Sequence, residues 1–308
     1  VKVLYVAGSM RSGTTLVAEL LGSFRGAMAI GELNNVSFAA LKGQRCSCGN
    51  DPLGCEVWGP VFAHVLAEPA AARIWELRQL LERQRRLPEL RRLASRDEIA
   101  WPAVVAEYVE FLRSSVATLL EASGASTLVD SSKSPGGLAL MRLAFPGEVA
   151  VLHLLRDPRG VANSESRHVH RRDADTSAPP STRSIVRSAA GWDSVNLECA
   201  LMARGIEMAA RTWYEWLCEA PADRLEALGR RLGLVSPGPV FDGRRVLLSP
   251  SHVLAGNPSR TGPQWRSVER DEAWREDLSR REQRLVSLIA WPLEPFLRHA
   301  AGGAKVSS

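Results

Sequence analysis

Eight residues near the start of the 308-residue chain have the composition and spacing to bind an anion: Gly8, Ser9, Met10, Arg11, Ser12, Gly13, Thr14 and Thr15. They follow a β-branched apolar run, "VKVLYVA", and precede Leu16, Val17, Leu20 and Leu21 at helical spacing. Glycines so placed let backbone N–H groups converge, and a helix starting there turns its positive end on the same point. The spacing is that of the phosphate loop G-x-x-x-x-G-K-S/T, but Thr14 stands in the lysine position. The lysine that reaches the β- and γ-phosphates of a nucleoside triphosphate is therefore missing. Arg11 supplies a cation from inside the loop instead, which suits a group carried on a single 5′-phosphate. The candidate binding residues are Arg11, Ser12, Gly13, Thr14 and Thr15.

A second constellation lies at the ends of other apolar runs. "EVAVLHLLRDP" reads as a strand closed by charge and proline, which delivers Arg156 to the carboxyl edge of a parallel sheet. Ser164 then falls in the second turn of a helix starting after Pro158. "AMAIGEL" ends a short strand with the Glu32 carboxylate at the same edge, which makes it a candidate general base. His168 and His170 are competing bases in a polar stretch, where a solvated histidine is the commoner case. Lys133 closes "STLVDSSK" and is either a second cation at the site or a strand-end lysine without a role. Gly256 and Asn257 open a turn with free backbone N–H groups that could bring Arg260 to an anion. Trp58, Trp192, Trp213 and Trp265 could stack on a base or an acceptor, although core packing is the usual fate of tryptophan.

Five cysteines are an odd number and argue against a disulfide framework. Cys46, Cys48 and Cys55 cluster in "CSCGNDPLGC", but zinc takes four ligands, and neither a fourth cysteine nor a histidine before His64 is at hand. The sequence therefore favours a reduced structural loop and no metal.

The elements that must position these residues form an α/β pattern. The first strand, loop and helix are followed by helical periodicity over about 60–123, broken at Pro88. The strands of Leu128 and Val151 flank a helix, "GGLALMRLAF", as in a parallel crossover. Residues of about 165–190 are polar and aperiodic, which predicts a mobile lid loop. Helices are predicted at about 186–204 and 221–232, a short strand at 211–216, and a last helical region near 271–299. The expected fold is α/β, with a P-loop-type central parallel sheet flanked by helices, a helical insert and a mobile lid, in one domain over 1–308.

Composition sets the outer limits. With 45% hydrophobic and 24% charged residues the chain can bury a substantial core. The net charge of +5 is carried almost wholly by arginine and suits anionic small molecules rather than a nucleic-acid footprint. No run reaches the roughly 18 apolar residues of a membrane span. The first residues lack the basic and apolar regions of a secretory leader, so a cytoplasmic location is expected.

"GSMRSGTTLVAELLG" resembles the 5′-phosphosulfate loop of sulfotransferases that use 3′-phosphoadenosine 5′-phosphosulfate (PAPS), and "LLRDPRGVANSESRH" resembles their 3′-phosphate motif. "GEL", "RCSCGNDPLGCEVW", "LVDSSKSP" and "GNPSR" extend the resemblance to a bacterial branch acting on carbohydrates and natural products. The resemblance implies that Arg156 and Ser164 hold the 3′-phosphate, that Glu32 is the base, and that Lys133 matches the lysine of a Lys-Ser/Thr-Pro segment. It implies PAPS as co-substrate, a small-molecule hydroxyl acceptor, no metal, and no membrane or nucleic-acid partner. A homo-oligomer is compatible with it. The chain departs from the family in carrying Arg11 where many members have lysine, and "RTWYEWLCEAP" where "YEDL" is usual.

Two other readings share these residues. A P-loop kinase would want lysine at position 14 and an Asp holding Mg²⁺ at a strand end, a part Asp130 could imitate. A non-catalytic nucleotide-binding protein would need the base to be dispensable.

Overall fold

The computed structural model describes residues 1–67, 69–83, 103–172, 182–256 and 265–301. In chain order the elements begin with strand β1 (Val3–Ala7), helix α1 (Thr14–Gly22) and β2 (Ala27–Gly31). A 3-10 turn (Leu33–Asn35) leads to α2 (Val36–Leu41), α3 (Gly59–His64), α4 (Ala70–Arg83) and α5 (Ala103–Ser123). Then come β3 (Thr127–Lys133), α6 (Pro135–Ala144), β4 (Val149–Leu155), α7 (Pro158–Arg172) and α8 (Thr182–Met202). The chain continues through β5 (Ala209–Trp213), α9 (Tyr214–Glu219) and α10 (Pro221–Arg231). Three short strands, β6 (Phe241–Asp242), β7 (Arg245–Leu247) and β8 (Trp265–Ser267), precede α11 (Trp274–Asp277), α12 (Arg280–Ala290) and α13 (Glu294–Ala301).

Apolar runs without polar alternation demand burial on both faces, and the main sheet meets that demand. Its five strands are parallel in the order β2-β3-β1-β4-β5. Along β1 the side chains alternate: Val3, Tyr5 and Ala7 join Ile30, Leu128, Val151 and the residues of α5 and α6 in one core layer. Leu4 and Val6 join Leu20, Leu152, Leu154, Leu217 and Leu228 in the other. Helices therefore cover both faces, and the chain winds outward from β1 in both directions. In such a sheet the strand order reverses beside the central strand, and a ligand crevice opens past the carboxyl ends there.

Local chemistry sets the helix entries. Ser134 caps α6, its hydroxyl accepting from the Gly137 N–H at 3.1 Å, with Pro135 preset for the first turn. Ser279 and Glu282 form a reciprocal capping box on α12.

Two expectations need correction. The predicted lid over 165–190 is largely helical, because α7 continues to Arg172 and α8 starts at Thr182; 173–181 lie outside the described residues. The cause is tertiary: Ala162, Ile185 and Ala189 pack against Trp274 and Val286, a distant apolar stripe that the polar local sequence did not reveal. The strand placed at 211–216 ends at Trp213, and the chain turns into a helix at Tyr214. The last helical region expected near 271–299 is present as three helices, and the three-stranded antiparallel sheet before it is an element that the sequence did not announce. The helical insert of 60–123 is observed as α3, α4 and α5, while 84–102, with Pro88, lie outside the described residues. Among the described residues no helix is long and apolar enough to cross a membrane.

Candidate active site

The glycine turn between β1 and α1 sits at the carboxyl edge of the central strand. Gly13 is left-handed at φ 87°, and a Cβ there would lie 2.8 Å from the Tyr214 ring. No side chain caps α1, so its first turn faces the turn with backbone donors and the positive end of the helix. Ser12, Thr14 and Thr15 are buried, and the Ser9 and Ser12 hydroxyls share a hydrogen bond of 2.7 Å. Arg11 also has positive φ, 63°, which for a residue with a Cβ costs about 1–3 kcal/mol and persists where the surroundings enforce it.

What enforces it comes from the second motif. Arg156, past the end of β4, donates through Nη1 to the Arg11 carbonyl at 2.7 Å. The Arg11 Nε in turn donates to the Ser164 hydroxyl at 2.9 Å. Residues 11, 156 and 164 thus converge in one cluster. The Arg156 guanidinium is buried, lies 5.8 Å from the Tyr214 ring, and gives Nη2 to the Asp271 carboxylate at 2.8 Å. That carboxylate side chain is 43% exposed, so the far side of the pair opens to solvent. Trp192 holds the strand end by donating to the Arg156 carbonyl at 3.0 Å.

The other candidates gather at the ends of β3 and β2, the two strands on one side of β1. Glu32 follows β2 and Lys133 closes β3, adjacent strands, and the Lys133 ammonium donates to Glu32 Oε1. Asn35 donates to the other carboxylate oxygen. Both side chains are mostly enclosed, at 9% exposure for Glu32 and 17% for Lys133. Lys133 is left-handed, φ 57°, and its carbonyl accepts from the Gly8 N–H at 3.1 Å, which ties the pair to the start of the anion loop. Gly256 packs on the pair: a Cβ there would come within 3.4 Å of Glu32 Oε1.

Asp130 is held in the turn after Glu32 through one of its carboxylate oxygens. It is fully buried, and its Oδ1 accepts from the Ser132 N–H at 2.8 Å, the Ser132 hydroxyl at 2.6 Å and the Leu33 N–H at 3.3 Å. It therefore organises the turn that follows Glu32. Burial pushes its carboxyl up to about 6, against the opposing pull of the Ser132 and Leu33 hydrogen bonds. His153, also fully buried, is pushed down to about 3 by desolvation and then by Arg211, and stays neutral between Asn196 and Arg211.

Asn257 and Arg260 lie outside the described residues, as do the side chains of His168 and His170, whose backbone belongs to α7. Of the tryptophans, Trp58, Trp192 and Trp213 are buried, and Trp265 is partly exposed against Arg245. Tyr214, in the segment that departs from the family's "YEDL" and whose cofactor role that departure leaves open, closes the back of the glycine turn with its ring, and its hydroxyl donates to the Glu269 carbonyl at 3.1 Å. Asp271 is given no role by the sequence, although its segment, "DEAWREDLS", is part of the resemblance.

No family model matches the chain, and no curated protein matches it at a significant level. Among solved structures it is similar to the sulfotransferase domain from the curacin biosynthetic pathway, at 16% identity and a TM-score of 0.48 over 94% of this chain and 97% of that one. It is also similar to a sulfotransferase from Alicyclobacillus acidocaldarius, at 14% identity and a TM-score of 0.43 over 97% of this chain and 95% of that one.

Proposed function

We propose that the protein is a sulfotransferase that moves the sulfonate of PAPS onto a hydroxyl of a small-molecule, carbohydrate or natural-product acceptor. The observation that carries this reading is the cluster of Arg11, Arg156 and Ser164 beside an uncapped helix start, with a Glu–Lys pair on the neighbouring strands. Two anion-binding points of different construction suit a nucleotide with two separated phosphates better than a triphosphate chain.

In this reading the loop N–H groups and the start of α1 receive the 5′-phosphate, and Arg156 with Ser164 receive the 3′-phosphate, displacing the exposed Asp271 carboxylate. Glu32 takes the acceptor proton as the acceptor oxygen bonds to sulfur and the bond from sulfur to the 5′-phosphate oxygen breaks. Lys133 holds the Glu32 carboxylate in place, and Arg11 meets charge on the transferring group and the leaving phosphate. Gly256, Asn257 and Arg260 are proposed to complete the 3′-phosphate site, and His168 and His170 to border the acceptor. The kinase reading is weaker, because Thr14 replaces the lysine and Asp130 spends its Oδ1 on Ser132 and Leu33.

Calorimetric titration with 3′-phosphoadenosine 5′-phosphate (PAP), and separately with ATP and Mg²⁺, tests the proposal. Tight binding of PAP that is lost in Arg156→Ala and unmatched by ATP is expected, with transfer of labelled sulfonate from PAPS to an acceptor panel. A preference for ATP, or indifference to Arg156→Ala, would overturn it.

A further inference from the structure

Four metal-ligating side chains meet away from the anion loop. The Sγ atoms of Cys46, Cys48 and Cys55 and a ring nitrogen of His252 all lie within 4.8 Å of one another. The Cys55 and Cys46 sulfurs are 3.7 Å apart, and His252 Nδ1 is 3.2 Å from one and 3.9 Å from the other. A tetrahedral zinc with Zn–S of about 2.3 Å and Zn–N of about 2.0 Å requires ligand-to-ligand edges of about 3.5–3.8 Å. Cys46, Cys55 and His252 are thus spaced close to three corners of such a tetrahedron, and the Cys48 sulfur lies within 4.8 Å of each, near the fourth. We propose that Cys46, Cys48, Cys55 and His252 bind a structural Zn²⁺ in a closed Cys₃His site.

The surroundings are those of a metal site rather than of a chance cluster. The second ring nitrogen of His252 lies 3.3 Å from Glu56 Oε1, the outer carboxylate that fixes the ring and tautomer of a zinc-binding histidine. The Trp58 N–H points at the Cys55 sulfur at 3.5 Å, and the Trp58 indole donates to the His252 carbonyl at 2.6 Å. Ser47, between two of the cysteines, bonds to Val253 through its N–H at 3.0 Å and to the Ser251 carbonyl through its hydroxyl at 2.7 Å. The turn of 45–58 and the segment around His252 are therefore stitched together at the place where the metal would join them. The fourth ligand lies 197 residues beyond Cys55, which is why local spacing pointed to no metal.

The site has a structural consequence. Two residues after His252, Leu254 donates to the Ile30 carbonyl at 3.0 Å and accepts from the Glu32 N–H at 3.2 Å. A zinc clamp would hold this strap against β2 and so fix the backbone of Glu32. Four protein ligands leave no open position for substrate, so the metal's part is to hold the chain and not to react.

The test is metal content. Protein produced in zinc-supplemented medium and purified without chelator should carry about one zinc per chain by mass spectrometry, lost in Cys55→Ser and in His252→Ala. Cobalt exchanged into the wild type should give the visible d–d and thiolate-to-cobalt charge-transfer bands of a tetrahedral thiolate site, a readout that stands even if those variants fail to fold. Glu56→Gln should weaken zinc retention against a chromogenic chelator by about 10–100-fold. Wild-type protein that stays metal-free after zinc reconstitution, a Cys46–Cys55 disulfide in the purified protein, or full zinc in Cys55→Ser and His252→Ala would each overturn the proposal.

Discussion

Arg11 donates its Nε–H to the Ser164 hydroxyl at 2.9 Å, joining the first glycine turn to a helix 153 residues further on. The bond makes the two anion-binding motifs a single unit, so their mutational effects should not add. Ser164→Ala is expected to weaken PAP binding by about 1.5–3 kcal/mol, the range for a hydrogen bond to a charged group. In a double-mutant cycle with Arg11→Ala the coupling should be about 0.5–3 kcal/mol. Calorimetry that finds the two effects additive would mean that the residues serve separate ligands.

The Glu32–Lys133 pair separates chemistry from stability. Glu32→Gln keeps the size of the side chain and should lower kcat by about 10²–10⁴-fold while leaving PAP affinity unchanged. Lys133→Met strands an enclosed carboxylate and should cost about 3–5 kcal/mol in denaturant unfolding. Adding Glu32→Gln to Lys133→Met should recover much of that loss, since the unpaired charge is gone. A double variant as unstable as Lys133→Met would show that the pair matters through packing alone.

The contrast between legible and hidden parts of this site follows sequence distance. Strands β1, β3 and β4 were legible because burial on both faces forces continuous apolar runs, and the residues at their carboxyl ends followed from the geometry of parallel sheets. Gly13, Arg11 and Arg156 could be named on that ground. The parts of Asp271 and Tyr214 could not be assigned, because each enters by tertiary contact, one on Arg156 and the other behind Gly13. The start of helix α8, which the sequence reads as loop, is hidden for a related reason: Ile185 and Ala189 pack with Trp274 and Val286 far along the chain, and local polarity conceals that stripe.

Gly13 couples backbone conformation to the aromatic behind it. A methyl group there meets the Tyr214 ring at 2.8 Å, and φ 87° is unfavourable for any other L-residue. Gly13→Ala should lower the Tm and weaken PAP binding together. Tyr214→Leu alone should weaken binding while leaving the turn intact. Unchanged PAP affinity in Gly13→Ala would remove the turn from the anion site.

Asp130 should make stability fall as pH rises across the acid range, the reverse of an ion-paired carboxylate. Its folded-state pKa is about 6, against 3.8 when exposed, chiefly because burial disfavours the charged form. The folded protein therefore holds a proton there that the unfolded chain releases between roughly pH 4 and 6, so the contribution is fully present below the lower value and lost through the upper one. Asp130→Asn keeps an acceptor for Ser132 and Leu33 and has no proton to lose. Relative to wild type, the variant should gain about 2 kcal/mol in unfolding free energy on going from pH 4 to pH 7. Denaturant unfolding at several pH values measures this difference directly. A difference that does not change with pH would place the Asp130 titration outside that range and leave the turn after Glu32 insensitive to acid.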